Sequence, residues 1–139
     1  MRIMAIDYGD AHTGIAISDP TGFLAGFTTV ITAYRPEVVA EQITALAKEH
    51  GVEELVLGHP KNMDGTRGPR AEKAEAMAEL LKEATGLPVV LWDERRTTID
   101  AHQILMTGGK NAKKRKKVVD AVAASLILEG YLTFKKSHL

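Results

Sequence analysis

The hydrophobic period of this chain changes partway along it, and that change limits the folds open to it. Up to Thr32 the apolar residues come in short, β-rich runs, whereas beyond Pro36 helical spacing alternates with brief strand-like runs. Arg2 to Asp7 reads as a buried strand and Gly14 to Asp19 as a second, joined by the glycine-bearing turn Tyr8 to Thr13 into an antiparallel hairpin. Gly26 to Thr32 follows the Pro20-Thr21-Gly22 turn as a third strand. Pro36 opens a helix with Val38, Val39, Ile43, Leu46 and Ala47 on its apolar stripe, closed by His50 and Gly51. Glu54 to Gly58 is a fourth strand. Ala71, Ala74, Met77, Ala78, Leu80 and Leu81 mark a long helix ending at Gly86-Leu87-Pro88, and Val89 to Trp92 is a fifth strand. A helix over Thr98 to Met106, a turn over Thr107 to Ala112 and a terminal helix from about Lys116 to Lys135 complete the order βββ-α-β-α-β-α-α. That order predicts an α/β fold: a three-strand antiparallel meander joined to parallel crossover units, giving a five-stranded mixed sheet with helices on both faces.

At 139 residues the chain is expected to form a single domain, 1–139, able to bury a core without covalent staples. Cysteine is absent, which excludes a disulfide framework, a thiolate zinc site and a cysteine nucleophile. Asp7 interrupts the N-terminal apolar run too early for a signal-peptide core, and no apolar run approaches membrane-spanning length. A soluble, cytoplasmic protein with no membrane partner is the expectation. Net charge is zero, with 18 basic and 18 acidic side chains, so only the distribution of charge is informative. Lys110 to Lys117 holds six basic residues and no acid.

Asp120 stands three residues beyond that block, inside an apolar run from Val118 to Leu128 where an unpaired carboxylate would cost several kcal/mol or more, about the penalty of an ion taken from water. It must be neutralised, paired with a cation, or bound to metal. Asp7 ends strand one, just before Gly9, and Asp93 and Glu94 follow strand five at the carboxyl edge, where open α/β sheets place ligands. If the meander hangs from one side, strands one, four and five are parallel neighbours. Asp7 and one of Asp93 or Glu94 then meet at one edge, and the terminal helix can lay Asp120 across them.

Clustered carboxylates repel unless a cation sits among them, and hard oxygen ligands suit magnesium or manganese. One or two such ions, a pair being roughly 4 Å apart, activate water and stabilise the leaving oxygen in phosphodiester hydrolysis. Each residue also has a plainer role. Asp120 can form a structural salt bridge with Arg95 or Arg96, Asp7 can cap turn amides, and the basic block can be a solvated surface. In the Asn62 to Arg67 loop, Asn62, Thr66, Arg67 and, beyond it, Arg70 can donate to phosphate beside a helix N-terminus, or the loop can simply cap that helix. Trp92 reads as core, and the scattered aromatics give little support for a stacking platform. Neither the histidines nor the serines show metal or nucleophile-elbow spacing.

The phrases Ala5-Ile-Asp-Tyr-Gly9, Gly14-Ile-Ala-Ile-Ser-Asp19, Gly58-His-Pro-Lys-Asn-Met-Asp-Gly-Thr66, Arg70-Ala-Glu-Lys-Ala74, Asp93-Glu-Arg-Arg-Thr-Thr98 and Lys116-Lys-Val-Val-Asp-Ala-Val-Ala-Ala124, in this order over nearly the whole chain, resemble the motifs of the YqgF or RuvX-like family. Its members are described as Holliday junction resolvases or pre-16S ribosomal RNA nucleases. The resemblance implies an RNase H-like fold and divalent-metal nuclease chemistry, with Asp7, Glu94 and Asp120 as the catalytic, metal-binding acids; it is the resemblance that selects Glu94 over Asp93. Two departures stand out: Ala11-His12-Thr13 where the family carries a basic pair, and His59 where an apolar residue is common.

The reading is thus a Mg²⁺- or Mn²⁺-dependent nuclease acting on structured nucleic acid, processing the 5′ end of pre-16S rRNA in ribosome biogenesis. Asn62, Thr66, Arg67, Arg70, Arg95, Lys113, Lys114, Arg115, Lys116 and Lys117 would position the backbone, and the protein would be a monomer or weak homodimer. Three alternatives stay open: a Holliday junction resolvase in DNA recombination, which needs a two-fold pair of sites, a non-catalytic RNA-binding maturation factor, and an ATPase suggested by Asp7-Tyr-Gly9, for which the chain is short.

Overall fold

The computed structural model describes residues 1–19, 25–60, 68–93 and 112–137, with the side chains of 25, 112–120 and 136–137 outside that description. The elements are β1 (Arg2–Asp7), β2 (His12–Ser18), β3 (Ala25–Thr32), α1 (Pro36–His50), β4 (Val52–His59), α2 (Pro69–Thr85), β5 (Val89–Asp93) and α3 (Ala112–Ser137). They form one sheet of order β3-β2-β1-β4-β5. β1 pairs antiparallel with β2, and β2 with β3, while β4 is parallel to both β1 and β5. The mixed sheet with a hanging meander is as the period change predicts.

Strand alternation divides the core into two layers. Met4, Ile6, Ile15, Ile17, Leu55 and Leu57 face α1 and α2, meeting Val39, Ile43, Met77 and Leu81. Ile3, Ala5, Ala16 and Val56 face the other way, onto Ala124, Ile127, Leu128 and Tyr131 of α3. Small residues on that second face let α3 lie close to the sheet, and Gly130 is the extreme case, since a Cβ there would stand 3.3 Å from the Trp92 ring. Each large aliphatic side chain buried this way stabilises the fold by about 1.5–3 kcal/mol.

Both α1 and α2 open with proline at the first turn and close on glycines in the left-handed region, Gly51 at φ 66° and Gly86 at φ 69°. The expected helix at Thr98 to Met106 lies outside the described residues. One boundary is corrected: the last helix begins at Ala112, not near Lys116, so the basic block belongs to its first turns. Lysine and arginine are good helix formers, and the two glycines at 108 and 109 drew the expected turn too far along the chain.

Candidate active site

Asp7 ends β1 and stands opposite Gly14 of β2. On the other side, Ile6 pairs with Leu57 of β4, which brings Gly58 alongside Asp7. By the alternation of β1, Asp7 shares the face of Ile3 and Ala5, the face covered by α3. Its two cross-strand neighbours therefore carry no side chain on that face; both glycines are buried, while Asp7 itself is partly exposed. Glycine within a strand marks close approach of another group to the backbone. Gly9 tightens the following turn, where a Cβ would collide with the His12 carbonyl oxygen.

α3 runs antiparallel to β1 across this face. Near its C-terminal end, Lys135 donates to Glu54 at 3.2 Å, at the opposite edge of the sheet, and reaches the Met1 sulfur at 3.9 Å. Burial, followed by hydrogen bonding and Coulomb repulsion from Glu54, pushes the neighbouring Tyr131 phenol up from its ordinary value. From Lys135 back to position 120 the helix rises ~22 Å at about 1.5 Å per residue, and from Met1 to Asp7 a strand extends ~20 Å at about 3.3 Å per residue. The matched lengths bring position 120 to the Asp7 edge. Position 120 lies one helical turn before Ala124, which packs on the sheet.

The start of α3 is electrostatically unusual. Its first turn contains no acid, and Lys113 to Lys117 crowd cations where the helix dipole is already positive. Such a terminus is unfavourable for the helix and favourable for a phosphate chain. α1 and α2 also begin at this edge, since β3 and β4 run parallel to β1, and neither has a side-chain N-cap. Arg70, exposed in the first turn of α2, adds a cation there.

Asp7, the helix position of Asp120 and the Lys113 to Lys117 segment thus fall at one end of the sheet on one face, and Arg70 at the same end on the opposite face. Glu94, Arg95, Asn62, Thr66 and Arg67 lie outside the described residues. Asp93 is opposite His59 in the β4–β5 register, and it alternates with Val89 and Leu91, away from the face of Asp7. Among the described residues no three metal-ligating side chains form a group. The carboxylate oxygen of Asp7, beside two glycines, nevertheless suits a hard divalent cation, which needs oxygen donors and room for further ligands.

Sequence reasoning missed the roles of Gly14 and Gly58, though glycine in a strand was the available signal. It also had no account of His59. His59 is 8% exposed and lies on the α2 side, where its Nε2 is 2.7 Å from Glu75 Oε2, within hydrogen-bond distance. An imidazole there ties the end of β4 to α2, a role an apolar side chain cannot fill. Trp92, read as core, packs against the α3 layer with edge contacts to Tyr131 and Phe134. Its indole nitrogen is buried without a hydrogen-bond partner among the described residues.

A second concavity sits at the same edge on the opposite face. A pocket of about 250 Å³ is lined by Tyr8, Asp10, Tyr34, Lys73, Met77 and Leu80, among others. Lys73 Nζ donates to Asp10 Oδ1 at 2.9 Å, so α2 supplies a cation beside the turn that lacks the family's basic pair. Burial, then the nearby Asp10 carboxylate, holds the Tyr8 phenol above its ordinary value.

The sheet order, with a parallel pair of strands beside an antiparallel meander, is that of an RNase H-like fold. Thermus thermophilus RuvC, solved with a Holliday junction substrate, superposes with a TM-score of 0.62 at 13% identity, covering 99% of this chain and 96% of that one. The fowlpox virus resolvase, solved with junction DNA, gives 0.54 at 12% identity, covering 100% and 99%. A protein of Halothermothrix orenii named "Putative pre-16S rRNA nuclease" is 47% identical over 135 residues, covering 97% of this chain and 96% of its own. Residues 1–134 match the model of the RuvX family, described as Holliday junction resolvase. The chain belongs to the RuvX family. It is a phosphodiester-hydrolysing enzyme.

Proposed function

We propose that Asp7, Glu94 and Asp120 hold one or two Mg²⁺ or Mn²⁺ ions at the carboxyl edge of the sheet and that the substrate is the precursor of 16S ribosomal RNA. The observation that carries this reading is the setting of Asp7: a carboxylate between two glycines, on the face crossed by a helix whose acid-free first turn is cationic. The β4–β5 register turns Asp93 away from the Asp7 face, which disfavours Asp93 as the partner acid. Held by Asp7, Glu94 and Asp120, a divalent ion would supply Lewis-acid polarisation of the phosphodiester and a water more easily deprotonated.

The chain's own residues do the rest. Gly14 and Gly58 put no side chain beside Asp7. Lys113, Lys114, Arg115, Lys116 and Lys117, with Arg67, Arg70 and Arg95, neutralise the flanking phosphates, and Asn62 and Thr66 donate to their oxygens. The RNA assignment rests on the name of the Halothermothrix orenii relative, at 47% identity over almost the full chain. A substrate of this kind implies work in the cytoplasm. Among the described residues no helix is long and apolar enough to cross a membrane.

Junction resolution is the second reading, favoured by the description of the family model. Cutting two strands symmetrically requires two sites related by a two-fold axis, so it predicts a dimer on the junction, whereas trimming of RNA is compatible with a monomer or weak homodimer. Side-by-side cleavage of ribosomal RNA precursor and four-way junction DNA, with the mass of each complex in solution, separates them. Preferential cleavage of the RNA by a monomer is expected; junction-only cleavage by a dimer overturns the RNA assignment.

A further inference from the structure

We infer that the pocket between α1, α2 and the β1–β2 turn takes one unpaired nucleobase of the substrate strand, preferentially guanine, on the face opposite the scissile phosphate. This rests on the nuclease reading above and adds a base-reading subsite to it. The pocket's volume, about 250 Å³, is just below the ~300–1,000 Å³ of sites for drug-sized ligands, a size for one base and too small for a nucleoside triphosphate. Its walls are of the kind that hold a base: the side chains of Met77 and Leu80, the Tyr8 ring, and Tyr34, which is 77% exposed although it is a large aromatic. An aromatic left in water beside an apolar pocket offers a stacking surface.

The polar pair at this pocket supplies selectivity. Asp10 and Lys73 are both mostly exposed, so their ion pair contributes little to stability and can exchange for a ligand. A carboxylate accepts two N–H bonds side by side, and an ammonium next to it donates one. Guanine presents two adjacent N–H donors and a carbonyl acceptor along its pairing edge. Of the four bases it alone matches both groups in that arrangement, and this edge is free only when the base is unpaired.

Position completes the match. Tyr8 follows Asp7 directly, and the two side chains leave opposite faces of the sheet at the end of one strand. A nucleic-acid backbone crossing that edge would carry a phosphate to the Asp7 face and the adjoining splayed base to the pocket. Single-stranded and bulged nucleotides are the parts of RNA whose bases can be turned out in this way.

The test measures binding in chelator, where cleavage is not needed, and so stands apart from the nuclease assignment. Short RNA duplexes carrying one bulged guanosine, adenosine, uridine or abasic nucleotide are titrated against the wild-type protein, Tyr34→Ala and Lys73→Ala. Tyr34 is exposed, so its replacement leaves the fold intact. The wild type is expected to bind the guanosine bulge roughly tenfold more tightly than the abasic one, in the range of a base–aromatic stack. Tyr34→Ala should erase that difference while its affinity for the abasic duplex is unchanged, and Lys73→Ala should reduce the preference for guanine over adenine. The same bulge in DNA should behave as in RNA, since the pocket reads the base. Equal binding of guanosine and abasic bulges by the wild type, a preference that survives Tyr34→Ala, or free guanosine monophosphate binding as tightly as the bulged duplex would each overturn the inference. Loss of cleavage with the bulge preference intact would instead count against the nuclease reading alone.

Discussion

At the residue scale, the reactivity assigned to Asp7 depends on what its neighbours lack. Gly14 and Gly58 are buried and put no side chain beside the carboxylate, so Gly58→Val should reduce nuclease activity. Asp7→Asn keeps the size of the side chain and removes the charge a divalent ion requires. Its cleavage rate should fall by about a hundredfold or more, at or beyond the usual effect of disturbing a metal ligand's partners, with the circular dichroism of the native fold retained. Tyr131 gives a pH prediction. Its folded pKa lies above the unfolded value of about 10, so its contribution to stability is complete below pH 10. As pH rises further, the unfolded chain releases the proton first and that contribution is lost. The urea midpoint should decline above pH 10, and Tyr131→Phe should flatten the decline.

At the scale of elements, α3 matters most, because it joins the sheet's closed edge to its working edge. Its anchor is the cluster of Lys135, Glu54 and Tyr131, and Gly130 packs tightly against Trp92. Gly130→Val should cost about 1–3 kcal/mol, as overpacking a tight contact does. Trp92 is the chain's single tryptophan, so the change is readable in intrinsic fluorescence. Much of this layout is legible in the sequence. The period change announces the meander and the crossovers, and the apolar setting of Asp120 points to a partner across the sheet. The start of α3 is not legible, because glycine signals at 108 and 109 outweigh the helix propensity of the lysines. Nor is the pocket, since Tyr8, Tyr34 and Lys73 are far apart in sequence and only the parallel return of α1 and α2 to one edge brings them together.

For the whole molecule, a net charge of zero conceals an asymmetric distribution: cations gather where acids and helix N-termini meet. Binding of RNA should therefore weaken steeply with salt. Exchanging Lys113, Lys114, Lys116 and Lys117 for alanine should lower the log–log slope by about 0.7–0.9 for each phosphate that is no longer neutralised. The most direct test of the central claim, a metal-dependent nuclease built at the Asp7 edge, is a cleavage assay on ribosomal RNA precursor with wild-type and Asp7→Asn protein in Mg²⁺, Mn²⁺ and chelator. Cleavage by the wild type with either ion, abolished by chelator and by Asp7→Asn, is the predicted result. Cleavage by Asp7→Asn at the wild-type rate, or by the wild type in chelator, would contradict it.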